Sequence, residues 1–323
     1  MPTRLYGIHQ RTLRLSCLWG AALLMVALSI APAMARMLET AYGNVEIEGQ
    51  PERVVTLYEG ALDASIALGV TPLGAVATRG GEHVATYIAD EVSDISIVGT
   101  ARETNLEAVV ALQPDMILAS PLLPQEQYQL LSRIAPVVVP PSGGFTADSW
   151  REELRVFTQA LGRDEAEAEA LIEHVDQRAA ELAARLGDEP PTAALVRWMP
   201  QGPMVMNEDL FGTGFIAAAG FEVTDAGLVR KGVPHSDPLS LENLSRIDQD
   251  WMFLATLNQE GEEALEAART SPAFQRLSVV GNDRVVPVDG QLFSSAMGPL
   301  AAQAILDVLE GVIDTIEERD AVN

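Results

Sequence analysis

Apolar residues follow two periods along this chain, and the switching between them predicts its elements. Compact apolar runs at 53–57, 73–77, 97–98, 116–119 and 137–139 predict short buried strands. Between them, residues 62–68, 105–112 and 126–134 read as helices, and 45–47 as a hairpin arm. Residues 78–96 are polar around Gly80-Gly81 and predict a loop. Short strands alternating with helices imply an α/β unit with a mostly parallel sheet.

The rhythm then changes. Trp150, Leu154, Phe157 and Leu161 recur at a helical spacing, with Ser149 and Glu152 in a capping-box pattern and Gly162 as the stop. Asp164 and Glu167 form a second such pattern. The helix they open carries Leu171, Val175, Leu182 and Leu186 on one stripe, with charges on the other. From 165 to 186 it would run about 33 Å at 1.5 Å per residue, enough to cross from one domain to another. Residues 187–191 stop it.

Strands at 193–199, 204–206, 251–254 and 284–288 then alternate with helices at 211–219, 241–247, 262–268 and 300–316, and 320–323 reads as a frayed tail. The second half also echoes the first. Asn105-Leu106-Glu107 and Ser240-Leu241-Glu242 each open a helix, and Asp115 and Asp250 each stand eight residues after the Glu, just before an apolar strand. The expectation is two similar α/β lobes with central, mostly parallel sheets. One long interlobe helix joins them, and a ligand cleft lies between. The boundaries fall at 36–148, 149–189 and 190–323.

The first 35 residues stand apart. Arg4, Arg11 and Arg14 precede an apolar run at 18–30, and Ala33-Met34-Ala35 places small residues where a signal peptidase reads. This predicts a cleavable secretory signal ending at Ala35, hence the periplasm. Cys17, the single cysteine, lies before the apolar run, where lipidation would need it after; the chain is not expected to be a lipoprotein. The net charge is −25, and removing three arginines with no acid leaves −28. Such a surface repels nucleic acid.

Pro51-Glu52-Arg53-Val54-Val55, Val98-Gly99-Thr100, Leu112-Gln113-Pro114-Asp115-Met116-Ile117, Ser240-Leu241-Glu242-Asn243-Leu244 and Arg284-Val285-Val286-Pro287-Val288-Asp289 occur in this order. In them the chain resembles a class III periplasmic substrate-binding protein of an iron-siderophore ABC importer, the group that includes ferric citrate and ferric hydroxamate binders. The resemblance covers about residues 44–315. It implies a monomer that captures a ferric siderophore in the interlobe cleft and delivers it to an inner-membrane ABC permease. It implies no cofactor, because the iron is held by the chelator. Acids on the lobe tips meet the permease in such proteins, and Glu59 and Glu208 are the candidates.

Cargo of this kind calls for cationic forks and aromatic walls. Arg79 lies beyond the strand at 73–77, and Arg197 and Trp198 end the strand at 193–199. Tyr58, Arg102 and Phe293 complete the set of cargo-binding candidates. Arg230 and Lys231 form the one local basic pair of the second half. The rival cargoes are cobalamin, or haem or a metal ion of the same importer class. For a metal, His83 and His235 would have to meet with Tyr87 or Asp237, while His174 on the long helix reads as structural. No nucleophile elbow, metalloprotease or phosphate-loop motif occurs, and Gly212-Thr213-Gly214 is too short for one. Glu59 and Asp63 share a helical turn without a nucleophile nearby, so an enzyme is not expected.

Overall fold

The computed structural model describes residues 35–142, 146–187 and 189–322. The signal expected before Ala35 lies outside the described residues. The chain opens with a hairpin of β1 (Arg36–Thr40) and β2 (Gly43–Ile47). β1 goes beyond the sequence expectation, because only Leu38 and Thr40 of it are buried. The Arg36 guanidinium donates to the carbonyls of Gly49, Gln159 and Ala160, anchoring the hairpin to the rest of the chain.

The first sheet alternates β3 (Val54–Thr56), α1 (Glu59–Ala67), β4 (Gly74–Ala77), α2 (Thr86–Ala89), β5 (Ser96–Thr100), α3 (Leu106–Ala111), β6 (Met116–Leu118), α4 (Gln125–Leu131) and β7 (Val137–Val138). Its order is β5-β4-β3-β6-β7, parallel throughout. The stretch expected as pure loop holds α2 and a 3-10 turn at Asp90–Val92.

Two helices follow, α5 (Ser149–Ala160) and α6 (Glu165–Leu186). The capping box at Asp164 and Glu167 forms. The one expected at Ser149 does not. Ser149 is already helical and its hydroxyl donates to the Thr146 carbonyl, while Asp148 turns to Arg151. The buried stripe of α6 is Ala168, Ile172, Val175, Ala179 and Leu182, with Leu171 and Leu186 only half-buried.

The second sheet contains β8 (Thr192–Met199), β9 (Gly202–Val205), α7 (Phe211–Ala218), β10 (Glu222–Val223), β11 (Trp251–Thr256), α8 (Gln259–Arg269), α9 (Pro272–Gln275), α10 (Ser278–Gly281), β12 (Val285–Asp289), α11 (Gly290–Ser294) and α12 (Pro299–Val322). Its parallel order is β10-β8-β11-β12, with β9 antiparallel against β8. Leu241–Ile247 is a 3-10 helix rather than an α-helix, and Ser240 makes no side-chain cap. The tail expected to fray continues as α12 to Val322.

The internal echo has a physical basis. Asp115, before β6, accepts the backbone N–H groups of Glu52 and Arg53 at the entrance to β3. Asp250, before β11, accepts the N–H and hydroxyl of Thr192 at the entrance to β8. In both sheets a carboxylate pins the start of the neighbouring parallel strand.

The long helix does not hold the lobes apart alone. α12 lies along it, with Arg178 paired to Asp307 and Glu310, and Arg185 to Asp314 and Glu317. One apolar cluster runs from Val54 and Met116 of the first sheet, through α5, α6 and α12, to Leu195 and Phe253 of the second. The seam between the sheets is riveted by Asp63 of α1. Its fully buried carboxylate accepts the N–H groups of Leu300 (2.9 Å) and Ala301 (2.8 Å) at the start of α12 and the Tyr87 hydroxyl (2.9 Å). Gly298, at φ +122°, lets the chain pass; a Cβ there would meet Asp63 Oδ1 at 2.3 Å. Asp63→Ala leaves three donors without an acceptor and is expected to cost about 3 kcal/mol or more in urea unfolding. Gly298→Ala is expected to destabilise in the same direction.

Candidate functional site

In an open parallel sheet, a ligand site forms beyond the carboxyl ends of neighbouring strands whose connections depart in opposite directions. The first sheet has that point between β3 and β6, and the second between β8 and β11. The loops at these ends meet across the seam. A Cβ on Gly80, after β4, would lie 3.0 Å from the Leu257 carbonyl, after β11. The Thr86 hydroxyl donates to Asp289 Oδ2 at 2.6 Å, and the Tyr58 hydroxyl to Met297 Sδ at 2.9 Å.

Arg197 occupies this seam from β8. It is 4% exposed, and its Nε is buried with no hydrogen-bond partner among the described residues. No carboxylate among the described residues forms an ion pair with it. Burial, and then the like charge of Arg79, push its pKa down to about 10. Arg79, exposed at the end of β4, therefore lies close enough to act on it across the seam. The structure brings these two sequence candidates together as an electropositive pair.

Glu59 stands beside Arg79. Its Oε1 accepts the Thr78 hydroxyl (2.8 Å) and the Arg79 N–H (3.0 Å), while its Oε2 is buried without a partner. Burial raises its pKa to about 7 against the pull of Thr78, of the Arg79 amide and of the Arg79 charge. This corrects the expectation of a lobe-tip acid. The first turn of α1 directs the carboxyl inward onto the end of β4. Glu208 is exposed, as a docking acid must be.

The aromatic candidates are corrected as well. Trp198 is 2% exposed and lies edge-on to Phe274 at 5.8 Å, in the core on the far side of the second sheet. Side chains alternate along a strand, so with Arg197 on the seam side Trp198 must point the other way. Phe293 is 2% exposed and stacks on Phe253 in the central cluster. Tyr58 is 7% exposed, with its ring packed in the same cluster. Arg102 is exposed in the turn after β5, its N–H held by the Thr100 hydroxyl. Arg230 pairs with Asp237 at 3.4 Å on the surface, and Lys231 is exposed. Tyr87 is spent on Asp63, the His235 ring sits against the Ser236 carbonyl, and His83 is exposed. Among the described residues no three metal-type ligands converge.

Sequence reasoning missed Glu153 of α5. It is buried and accepts the Ser142 hydroxyl on Oε1 at 3.0 Å, while its Oε2 is buried without a hydrogen-bond partner among the described residues. Burial raises its pKa to about 7. A signal existed: Glu153 falls on the apolar stripe of its helix, between Trp150 and Phe157.

A family model described as periplasmic binding protein matches residues 54–292. Among curated proteins, the probable siderophore-binding lipoprotein YfiY of Bacillus subtilis (strain 168) is 26% identical over 291 residues, covering 87% of this chain and 88% of that protein. The achromobactin-binding periplasmic protein of Dickeya dadantii (strain 3937) is 29% identical over 264 residues, covering 80% and 85%. The crystal structure of Staphylococcus aureus SirA complexed with staphyloferrin B superposes with a TM-score of 0.73 at 27% identity, over 86% of this chain and 98% of that one. No helix among the described residues is long and apolar enough to cross a membrane.

The buried acids set a pH dependence. Glu59, Asp63 and Glu153 are each pushed by burial to about 7, above the usual carboxylate range, so the folded state keeps protons that the unfolded chain has released. Stability of the empty protein is therefore expected to fall as pH rises from about 4.5 to about 7, and to level off above. Urea unfolding across that range measures it, and Glu153→Gln is expected to remove part of the slope.

Proposed function

This chain belongs to the periplasmic binding protein family, and from that premise we propose that it captures a ferric siderophore between its two lobes and hands it to an inner-membrane ABC permease. The printed names of the relatives support this cargo class over cobalamin, haem or a bare metal ion. One observation in the chain itself carries it: Arg197 is a buried cation without an anion among the described residues, near a second arginine. A buried charge lacking a partner costs several kcal/mol. That cost is offset when an anionic ligand enters and accepts from both forks. A chelate with outward-facing oxygens fits, and needs no metal ligand from the protein.

Further elements of the proposal follow from the same frame. Residues 36–148 and 190–323 are the two lobes and 149–189 the joint. The segment before Arg36 is a cleaved signal that directs the chain to the periplasm without lipidation. The monomer presents Glu208 to the permease. Arg79 and Arg197 are the cargo forks, with Arg102 at the margin of the first sheet. The task is capture and release, with no bond made or broken.

Titrating the mature protein with a panel of ferric chelates, followed by quenching of its intrinsic fluorescence, is expected to show saturable binding. Each hydrogen bond to a charged group is worth roughly 1.5–3 kcal/mol. Arg79→Ala and Arg197→Met are therefore each expected to weaken binding about tenfold to a hundredfold. Arg197→Met is also expected to raise the melting temperature of the empty protein by a few degrees, because it removes the unpaired buried charge. Unchanged affinity in both variants would remove the arginines from the site. Binding of cobalamin in place of any ferric chelate would overturn the cargo.

A further inference from the structure

Glu59 is held at the end of β4, beside Arg79. Its carboxyl is fastened on one side only. Oε1 takes two donors from the end of β4, and Oε2, also buried, takes none. Around it stand Arg79 from the loop after β4, Tyr58 at the start of its own helix and Tyr87 from α2, each electrostatically coupled to it. Arg197 from β8 lies beyond Arg79. Two further buried acids belong to neighbouring elements. Asp63 is saturated by α12 and Tyr87, and Glu153, whose Oε1 accepts the Ser142 hydroxyl and whose Oε2 is also buried without a partner among the described residues, lies on α5 away from the end of β4. Burial pushes both tyrosine hydroxyls well above their ordinary range, so they remain protonated.

Resting on the cargo reading above, we propose that Glu59 is a specificity-determining residue that makes capture of an anionic chelate proton-linked: the cargo enters together with a proton on the free oxygen of Glu59. Ionised, Glu59 sets a negative charge beside Arg79; protonated, it withdraws that charge, and its O–H becomes a donor to the cargo. A chelate of higher negative charge is therefore favoured by the protonated form. The carboxyl of the empty protein titrates at about 7, within reach of this exchange. An anion beside it moves the proton further onto Glu59.

The test is the dissociation constant for ferric citrate from pH 6 to pH 8, for the natural protein and for Glu59→Gln. Glutamine keeps an acceptor for Thr78 and the Arg79 amide, carries no charge, and removes a burial cost, so the variant is expected to fold. Dividing the two constants at each pH cancels the titration of the chelate itself. The ratio of natural to variant constant is expected to rise about tenfold between pH 6 and pH 8, following the loss of one proton with a midpoint near 7. Thr78→Val removes a donor that favours the charged carboxylate, and is expected to shift the natural protein's curve to higher pH. A ratio that stays level, with ferric citrate still bound, overturns the role of Glu59 and leaves the arginine forks standing. Failure of both proteins to bind any chelate of the ferric panel at any pH overturns this role and the cargo reading together.

Discussion

The start of α12 has to be held at one place for the two sheets to face each other, and a side chain from the other lobe holds it. Helix N-termini leave N–H groups without intrahelical partners. At Pro299 there is no room for a local cap, because Gly298 passes directly against Asp63. The Asp63 carboxylate supplies the acceptor from α1, across the seam. α12 then runs back along α6, where arginine–carboxylate pairs register the two helices. The ends of β3, β4, β8 and β11 meet as a consequence of that alignment.

What they enclose is chemically unbalanced in the empty protein. A net charge of −25 could supply a carboxylate to any arginine that needed one, and most arginines of α5 and α6 have one. Arg197 does not. The chain sets a second cation, Arg79, near the buried one, and places Glu59 beside Arg79, where its own ionisation is opposed by burial. Stability given up at this spot is available to a ligand that completes the charge.

The two lobes solve the same folding problem in the same way. Asp115 and Asp250 each tie the entrance of a central strand to its parallel neighbour, which sets the register of the switch-point pair in each sheet. They differ at the other end of the strands. The first lobe places Arg79 there, exposed on the loop after β4, with Glu59 fastened beneath it, while the second buries Arg197 within a strand.

Local pattern was enough for the alternation of strands and helices, for the Asp164 and Glu167 cap, for the paired aspartates, and for arginines at strand ends in both halves. These depend on neighbours a few residues apart. Period two along β8 requires Arg197 and Trp198 to point in opposite directions, but not which of them meets the seam. That was decided by Phe274 and the helices covering the far face, which take the indole into the core. The inward turn of Glu59, the burial of Phe293, the rivet at Asp63 and the buried Glu153 were likewise decided by packing between segments up to about 240 residues apart. Burial and charge pairing at such separations are properties of the folded surface, and no local window of the chain contains both partners.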